Sequence, residues 1–286
     1  MKKTYFLLLL IGGVASIKAQ TTYYSKASAT DFTNVASWGT NTDGTGTSPG
    51  SISNADNFVI QNSSAMTLPG NASVRQLTIN SGSLTVAANT LTVSKAGTFD
   101  STLNVTGGTL TVSGGNLNVN GNMIVSGTST FNQSGGIITI DPNNGGNTTG
   151  SVASGTATLS ITSSNINWTA GSLIIVDPNA GSGDAINYSS SSMANPSNTS
   201  THILQFGDGV STDATTNTAG FNLNTFVSSG RLYFGNFILN TAGTGNRRLC
   251  STTYSLGFSG DFRITLGEVR FTSINRIGGN LINNDT

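Results

Sequence analysis

A seven-residue beat between Leu77 and Asn143 constrains the fold more than any other feature of the chain. Leu77-Thr-Ile79, Leu84-Thr-Val86 and Leu91-Thr-Val93 are followed by Leu103-Asn-Val105, Leu110-Thr-Val112 and Leu117-Asn-Val119. The beat runs on through Ile124, Phe131 and Ile138, so that six apolar positions from Leu103 onward fall on one arithmetic series. Such self-similarity marks a repeat protein. Within each unit apolar residues alternate with Thr, Asn or Ser, the period of two of a strand with one dry and one wet face. Three units make 21 residues, which predicts one turn of a three-sided parallel β-helix.

A heptad also suggests a coiled coil, but the pattern excludes one. Coiled coils space their apolar positions three and four apart, set pairing with charged flanks, and disfavour Gly. Here the apolar pairs lie two apart, charge is nearly absent, and the junctions carry Gly82, Gly107, Gly108, Gly114, Gly115, Gly121 and Gly127. Gly and Asn tolerate the positive φ that frequent corners require.

Only 8% of the residues are charged, against roughly 25% in an average soluble domain. Solubility therefore rests on hydroxyls and amides, while 36% apolar residues with strand patterning argue against disorder. Residues 1–19 read as a signal peptide: Lys2 and Lys3 precede an apolar run from Phe6 to Ile11, and Ala19 stands before Gln20 at the cleavage point. That run is too short to span a bilayer, so no membrane span is expected after cleavage. Removal of Lys2, Lys3 and Lys18 leaves nine basic against twelve acidic residues, a balance that does not attract nucleic acid. Cys250 is the sole cysteine, which rules out an internal disulfide in an exported chain and fits a small buried apolar residue.

Residues 20–70 lack the beat. Phe32, Val35, Trp38 and Phe58-Val-Ile60 surround a loop-forming stretch, Asn41 to Asn54, and read as an N-terminal cap with the first strands. A stack of strands exposes unpaired backbone groups at its ends, and a cap covers them. Residues 71–286 read as the β-helix itself, with the outward Thr109, Thr111, Asn116, Asn118 and Asn120 expected in ladders of like side chains. At longer range, Met123 to Asn143 aligns without gaps on Leu159 to Asn179 at an offset of 36, both ending in Asp-Pro-Asn. Proline cannot donate to a ladder, so these mark strand ends and the start of loop excursions near 143–156 and 179–200. From Ile203 the beat loosens and aromatics become frequent, which predicts wider turns. The last phrase, Gly279 to Thr286, stops within a repeat unit and predicts a gene product that continues.

The export signal, Thr22-Tyr-Tyr-Ser25, Trp38, Asp56-Asn-Phe-Val-Ile60, the Leu-Thr-Val units, Gly136-Ile-Ile-Thr-Ile-Asp-Pro142 and Leu204-Gln-Phe-Gly207 resemble large secreted β-helix proteins of Bacteroidetes. The resemblance covers nearly the whole chain. It implies cargo of the type IX secretion route with an adhesin-like or surface role, although the C-terminal sorting domain of such cargo is absent from this sequence.

Chemistry is sparse. Pectate-lyase-like catalysis needs a base beside calcium-binding acids, yet no Lys or Arg occurs between Lys95 and Arg231. The residue sets of polygalacturonase-like enzymes are unmet: Asn41-Thr-Asp43 lies in the cap, Asp-Asp is missing, and His202 precedes Ile203. His202 is the sole histidine, which excludes a multi-histidine metal site and predicts an exposed or locally hydrogen-bonded side chain. Glu268 is the sole glutamate; Asp261 would be its partner in a carboxylate pair, and ion pairing with Arg263 or Arg270 is the simpler reading. Arg231, Arg247, Arg248, Arg263, Arg270 and Arg276 make the last segment basic, as outward strand residues or as a surface for anionic glycans. The loops Asp141–Asn147 and Asp177–Asp184 offer oxygen ligands for calcium but lack β-roll spacing, and turn chemistry accounts for them. Thr90/Thr92 and Thr109/Thr111 begin a hydroxyl array that later units do not sustain.

The sequence thus predicts an all-β, right-handed parallel β-helix with about three short strands per turn. No catalytic, cofactor-binding or metal residue is assigned, and the role expected is a non-catalytic, extracellular stalk or adhesin-like segment. A carbohydrate-active or glycan-binding β-helix, with surface glycans or environmental polysaccharide as partner and the two excursions as its groove, is the alternative. Oligomeric state is not legible.

Overall fold

The computed structural model describes residues 20–94, 102–141, 158–176, 184–190, 199–210, 221–227, 232–242, 249–252, 255–272 and 275–285. The predicted signal segment and most of both predicted excursions lie outside this set. The described residues form an all-β structure dominated by long parallel sheets, with one 3-10 turn at Val35–Ser37.

Strand β1 (Thr22–Ser25) pairs antiparallel with β2 (Trp38–Gly39) and parallel with β3 (Asn57–Ile60). After β3 come β4 (Ser64–Thr67) and β5 (Ala72–Val74), then β6 (Gln76–Ile79), β7 (Gly82–Val86) and β8 (Thr90–Val93). The order repeats with β9 (Leu103–Val105), β10 (Thr109–Val112) and β11 (Asn116–Val119). Next are β12 (Met123–Val125) and the long β13 (Thr130–Ile140), then β14 (Leu159–Ile161) and the equally long β15 (Asn165–Ile175). The remaining strands are β16 (Asp184–Ser190), β17 (His202–Phe206), β18 (Phe221–Val227), β19 (Leu232–Phe234) and β20 (Asn236–Asn240). They are followed by β21 (Leu249–Thr252), β22 (Leu256–Phe258), β23 (Phe262–Leu266), β24 (Glu268–Phe271), β25 (Arg276–Ile277) and β26 (Leu281–Asn283).

One sheet runs β2-β1-β3-β6-β9-β12-β14-β16-β18-β21-β24, a second joins β4 to β26 through β7, β10, β13, β15, β17, β20 and β23, and a third holds β19-β22-β25. The two halves of β13 pair separately, Thr130–Gln133 with β10 and Ile137–Ile140 with β11. The corner between the halves passes through Gly135 and Gly136, and at Gly136 φ is +66°. A Cβ there would come within 2.1 Å of the Gly115 carbonyl oxygen, so only glycine lets the layers close at this point.

Register follows burial. In the first sheet Leu77, Leu103, Met123, Leu159, Ile186 and Leu223 form one buried column. Another column runs Leu91, Leu117, Ile138, Leu173, Leu204, Phe237 and Phe262, where the aliphatic residues give way to aromatics. Each fully buried side chain of this size stabilises the fold by about 1.5–3 kcal/mol relative to exposure. The opposite face carries the expected polar columns: Ser83, Thr109, Thr130 and Asn165 in one, Thr92, Asn118 and Thr139 in another.

Three expectations change in detail. The pairing offset is 21 between Leu110 and Phe131 but 26 between Leu84 and Leu110 and 35 between Phe131 and Ile166, because extra residues fall between strands without disturbing the ladders. The series also breaks at Ile124, which is only partly buried and paired with Asn104 and Ser160 on the outer face, while Met123 and Val125 take the core positions. The third concerns the ungapped alignment at an offset of 36. It holds for β12 on β14 but shifts to 35 in β13 on β15, so Phe131 faces Ile166 and not Asn167. A one-residue slip would turn Ile166 and Trp168 outward.

At the start of the chain Trp38 packs edge-on against Phe32 and Phe58, with centroids 5.2 and 4.9 Å apart, and its indole nitrogen donates to the Phe32 carbonyl at 3.0 Å. Thr67 donates its backbone N–H to the Thr30 carbonyl, and Phe32 returns a bond to Thr67, which occupies backbone groups of β4.

Candidate functional site

The strand faces bring together two groups of polar side chains that do more than solvate the surface. The first is a groove of about 420 Å³ on the outer face of β17, β20 and β23. Parallel pairing places Gln205 beside Ile238 and Ile238 beside Arg263, so amide, aliphatic and guanidinium groups form one row across three strands. Asn236 and Asn240 flank that row on β20, and Thr265 on β23 and Asp261, the residue before β23, flank it on the other side. A register shift lies between Leu239 and Asn240, where Ile264 and Leu266 are successive partners and Thr265 is the extra residue. Such a bulge bends its strand and deepens the local twist, which accounts for the concavity.

One rim of the groove is fixed by side chains that bond the neighbouring strand's backbone. Asn236 donates through Nδ2 to the Ser200 carbonyl and accepts the Asp261 N–H at 2.8 Å. Asp261 in turn accepts from the Asn280 N–H at 2.8 Å and from its Nδ2 at 3.1 Å. Gln205 is held by a 2.8 Å bond from Nε2 to the Gly207 carbonyl. Arg263 is exposed, and its guanidinium has no hydrogen-bond or ion-pair partner among the described residues.

The second group is internal. His202 is fully buried, in contrast to the exposed or locally bonded side chain that the sequence predicts. Its Nε2 lies 3.0 Å from Gln133 Oε1, a partner 69 residues away, and its ring stacks on Trp168 at 5.1 Å. Gln133 Nε2 donates to the Ser172 carbonyl at 2.9 Å, which leaves Oε1 as the acceptor facing the imidazole. His202 must therefore donate from Nε2 and is the neutral Nε2–H tautomer. Its Nδ1 and the Trp168 indole nitrogen make no hydrogen bond among the described residues. Burial pushes the His202 pKa down to about 4, since the cation would lose its hydration. Gln133, Trp168 and His202 are all fully buried, so this neighbourhood belongs to the core.

The other residues singled out by sequence remain apart. Asp43 accepts from the Thr45 hydroxyl at 2.6 Å and its N–H at 2.9 Å, and these bonds, the hydroxyl first, hold its carboxyl below the usual range. Asn41 donates to the same Thr45 hydroxyl, so Asn41-Thr-Asp43 builds a turn. Glu268 is exposed on β24, away from Asp261 at the start of β23, and no ion pair to Arg263 or Arg270 forms among the described residues. Arg263, Arg270 and Arg276 are all exposed, each on a strand, while Arg231, Arg247 and Arg248 lie outside the described residues. The β21 backbone places Cys250 between Phe221 and Val269 in the ladder. Of the two acidic loops, only the ends Asp141 and Asp184 are described, and no cluster of three metal-ligating side chains occurs among the described residues. Thr90/Thr92 and Thr109/Thr111 lie on different columns and give way to Asn116/Asn118 and Thr130/Asn132.

Sequence reasoning missed Gln133, Trp168 and the groove amides. Gln133 carried a signal, because it occupies the inward position held by Val112 in the preceding strand. No family model matches the chain, and no curated protein or solved structure is significantly similar to it. Among the described residues no helix is long and apolar enough to cross a membrane.

Proposed function

We propose that the chain is an exported, non-catalytic right-handed parallel β-helix that serves as a stalk or adhesin-like segment of an extracellular surface protein. On this reading it is similar to the secreted β-helix proteins of Bacteroidetes and travels the type IX route. The observation that carries the proposal is the register: from β3 onward the chain alternates between the first and second sheets, with an extra strand per repeat in the second sheet as far as β11 and in the third sheet from β19, and buried apolar columns lie on one side with Thr, Asn and Ser on the other. Parallel crossovers are right-handed in nearly all proteins, which supports the handedness. At about 4.8 Å per layer, the layers led by β3 through β24 make a body on the order of 40 Å long. Charge-poor, hydroxyl-rich faces suit a spacer that must not adhere to itself electrostatically. The reading is tested by incubating the purified chain with uronate and neutral polysaccharides, with and without calcium, and assaying new reducing ends or unsaturated uronates. No product is expected; turnover of any polymer overturns the non-catalytic role. Small-angle scattering that gives a sphere of this mass would remove the rod.

The groove on β17, β20 and β23 supports a second reading, a glycan-binding module whose site lies on a strand face and not in the excursions.

A further inference from the structure

We propose that the groove centred on Arg263 binds an anionic oligosaccharide, one whose rings carry carboxylate or sulfate groups. The inference deepens the adhesin-like reading and rests on it. Four features of the groove select this chemistry. Its volume of about 420 Å³ falls in the range of small-ligand pockets. Three of its six polar side chains are planar amides, Gln205, Asn236 and Asn240; Gln205 Nε2 and both polar ends of Asn236 each make one bond to the backbone, and a primary amide keeps a second N–H and a second lone pair side by side for adjacent sugar hydroxyls. Ile238, between Gln205 and Arg263, gives an aliphatic floor against which the C–H face of a sugar ring can lie. Arg263 supplies an exposed guanidinium with no partner among the described residues, and a guanidinium binds carboxylate or sulfate oxygens with two parallel hydrogen bonds.

Other occupants fit less well. A peptide that adds itself as a strand needs a free sheet edge, whereas β20 is paired on both sides, with β17 and β23. Nucleic acid needs several phosphate contacts, and the groove holds one cation. The Asp261 carboxylate at the rim is turned to Asn280, which donates to its Oδ1 twice, and so it leaves the Arg263 end of the groove as the place for the anionic group.

Binding of the purified chain is measured by calorimetry and affinity electrophoresis against oligogalacturonate, a sulfated oligosaccharide, a neutral glucan and polyglutamate. The variants are Arg263→Gln and, as a control of equal charge change, Arg270→Gln on the exposed face of β24. Circular dichroism confirms that both keep the fold. Binding to the uronate or to the sulfated sugar, weakened about tenfold or more by Arg263→Gln and unchanged by Arg270→Gln, is the expected result. Which of the two acidic sugars binds identifies the source of the anion. Equal binding to polyglutamate, equal loss in both arginine variants, binding of the neutral glucan alone, or no binding each overturns the proposal. So does an Arg263-dependent dimer, which would give the groove to a second copy. Depolymerisation of a bound sugar would instead remove the non-catalytic reading and leave the groove standing, so the two failures are distinguishable.

Discussion

His202 is the chain's single histidine, and its burial makes it an isolated reporter of proton uptake. In the unfolded chain it titrates near pH 6.5, whereas in the folded chain its pKa is about 4. Between those values the unfolded state binds the extra proton, so the contribution to stability is complete above about pH 6.5, falls as the pH drops, and levels off below about 4. The whole loss is roughly 3 kcal/mol at about 1.36 kcal/mol per unit. Urea midpoints at pH 7.5 and 4.5 should therefore draw apart more in the wild type than in His202→Gln, which removes the titration. An equal acid shift in both would place the pH sensitivity elsewhere. At the same scale, Leu110→Ala in a column whose neighbours Leu84 and Phe131 are also fully buried should cost about 2–5 kcal/mol by cavity formation. The outward Thr109→Ala should cost well under 1 kcal/mol in the same denaturation assay.

At the level of the strand, corners and register carry the specificity. Gly136 combines a φ of +66° with a 2.1 Å approach of any Cβ to a backbone oxygen. Gly136→Val should thus destabilise by more than about 2 kcal/mol or prevent folding, through strain and backbone collision together. Gly50, where an added Cβ meets nothing within 4 Å, serves as the tolerant control in the same thermal melt. Strand existence was legible in the sequence wherever Leu-x-Val recurred, because alternation is a local property. Corner length was not. The turn Asn120-Gly-Asn122 advances the chain so that Met123 reaches the core and Ile124 does not, and a count of sevens is blind to that shift. The β13 on β15 register likewise answers to burial of Ile166 and Trp168 and not to the Asp-Pro-Asn phrases that anchor the ungapped alignment. The groove was illegible for a different reason: Gln205, Ile238 and Arg263 become neighbours only through pairing of strands tens of residues apart.

For the molecule as a whole, paired residues stay within one neighbouring strand set while the chain between them varies widely in length, with Met66 opposite Leu84 and Ile186 opposite Leu223. Connection length is therefore a soft variable and strand length a hard one. Four Gly-Ser residues inserted between Val93 and Leu103 should lower stability by less than about 1 kcal/mol. A single residue inserted within β10 inverts its two faces and should abolish the cooperative transition in a denaturant titration. The sheet ladders tie each strand only to those beside it, so fraying could begin at any layer and halt at the next. The Gln133–His202 bond reaches past β15, whose Trp168 stacks on the bonded imidazole. Amide protons of β13, β15 and β17 should consequently exchange as one block with a shared opening energy, and His202→Ala should split that block into separately breathing strands.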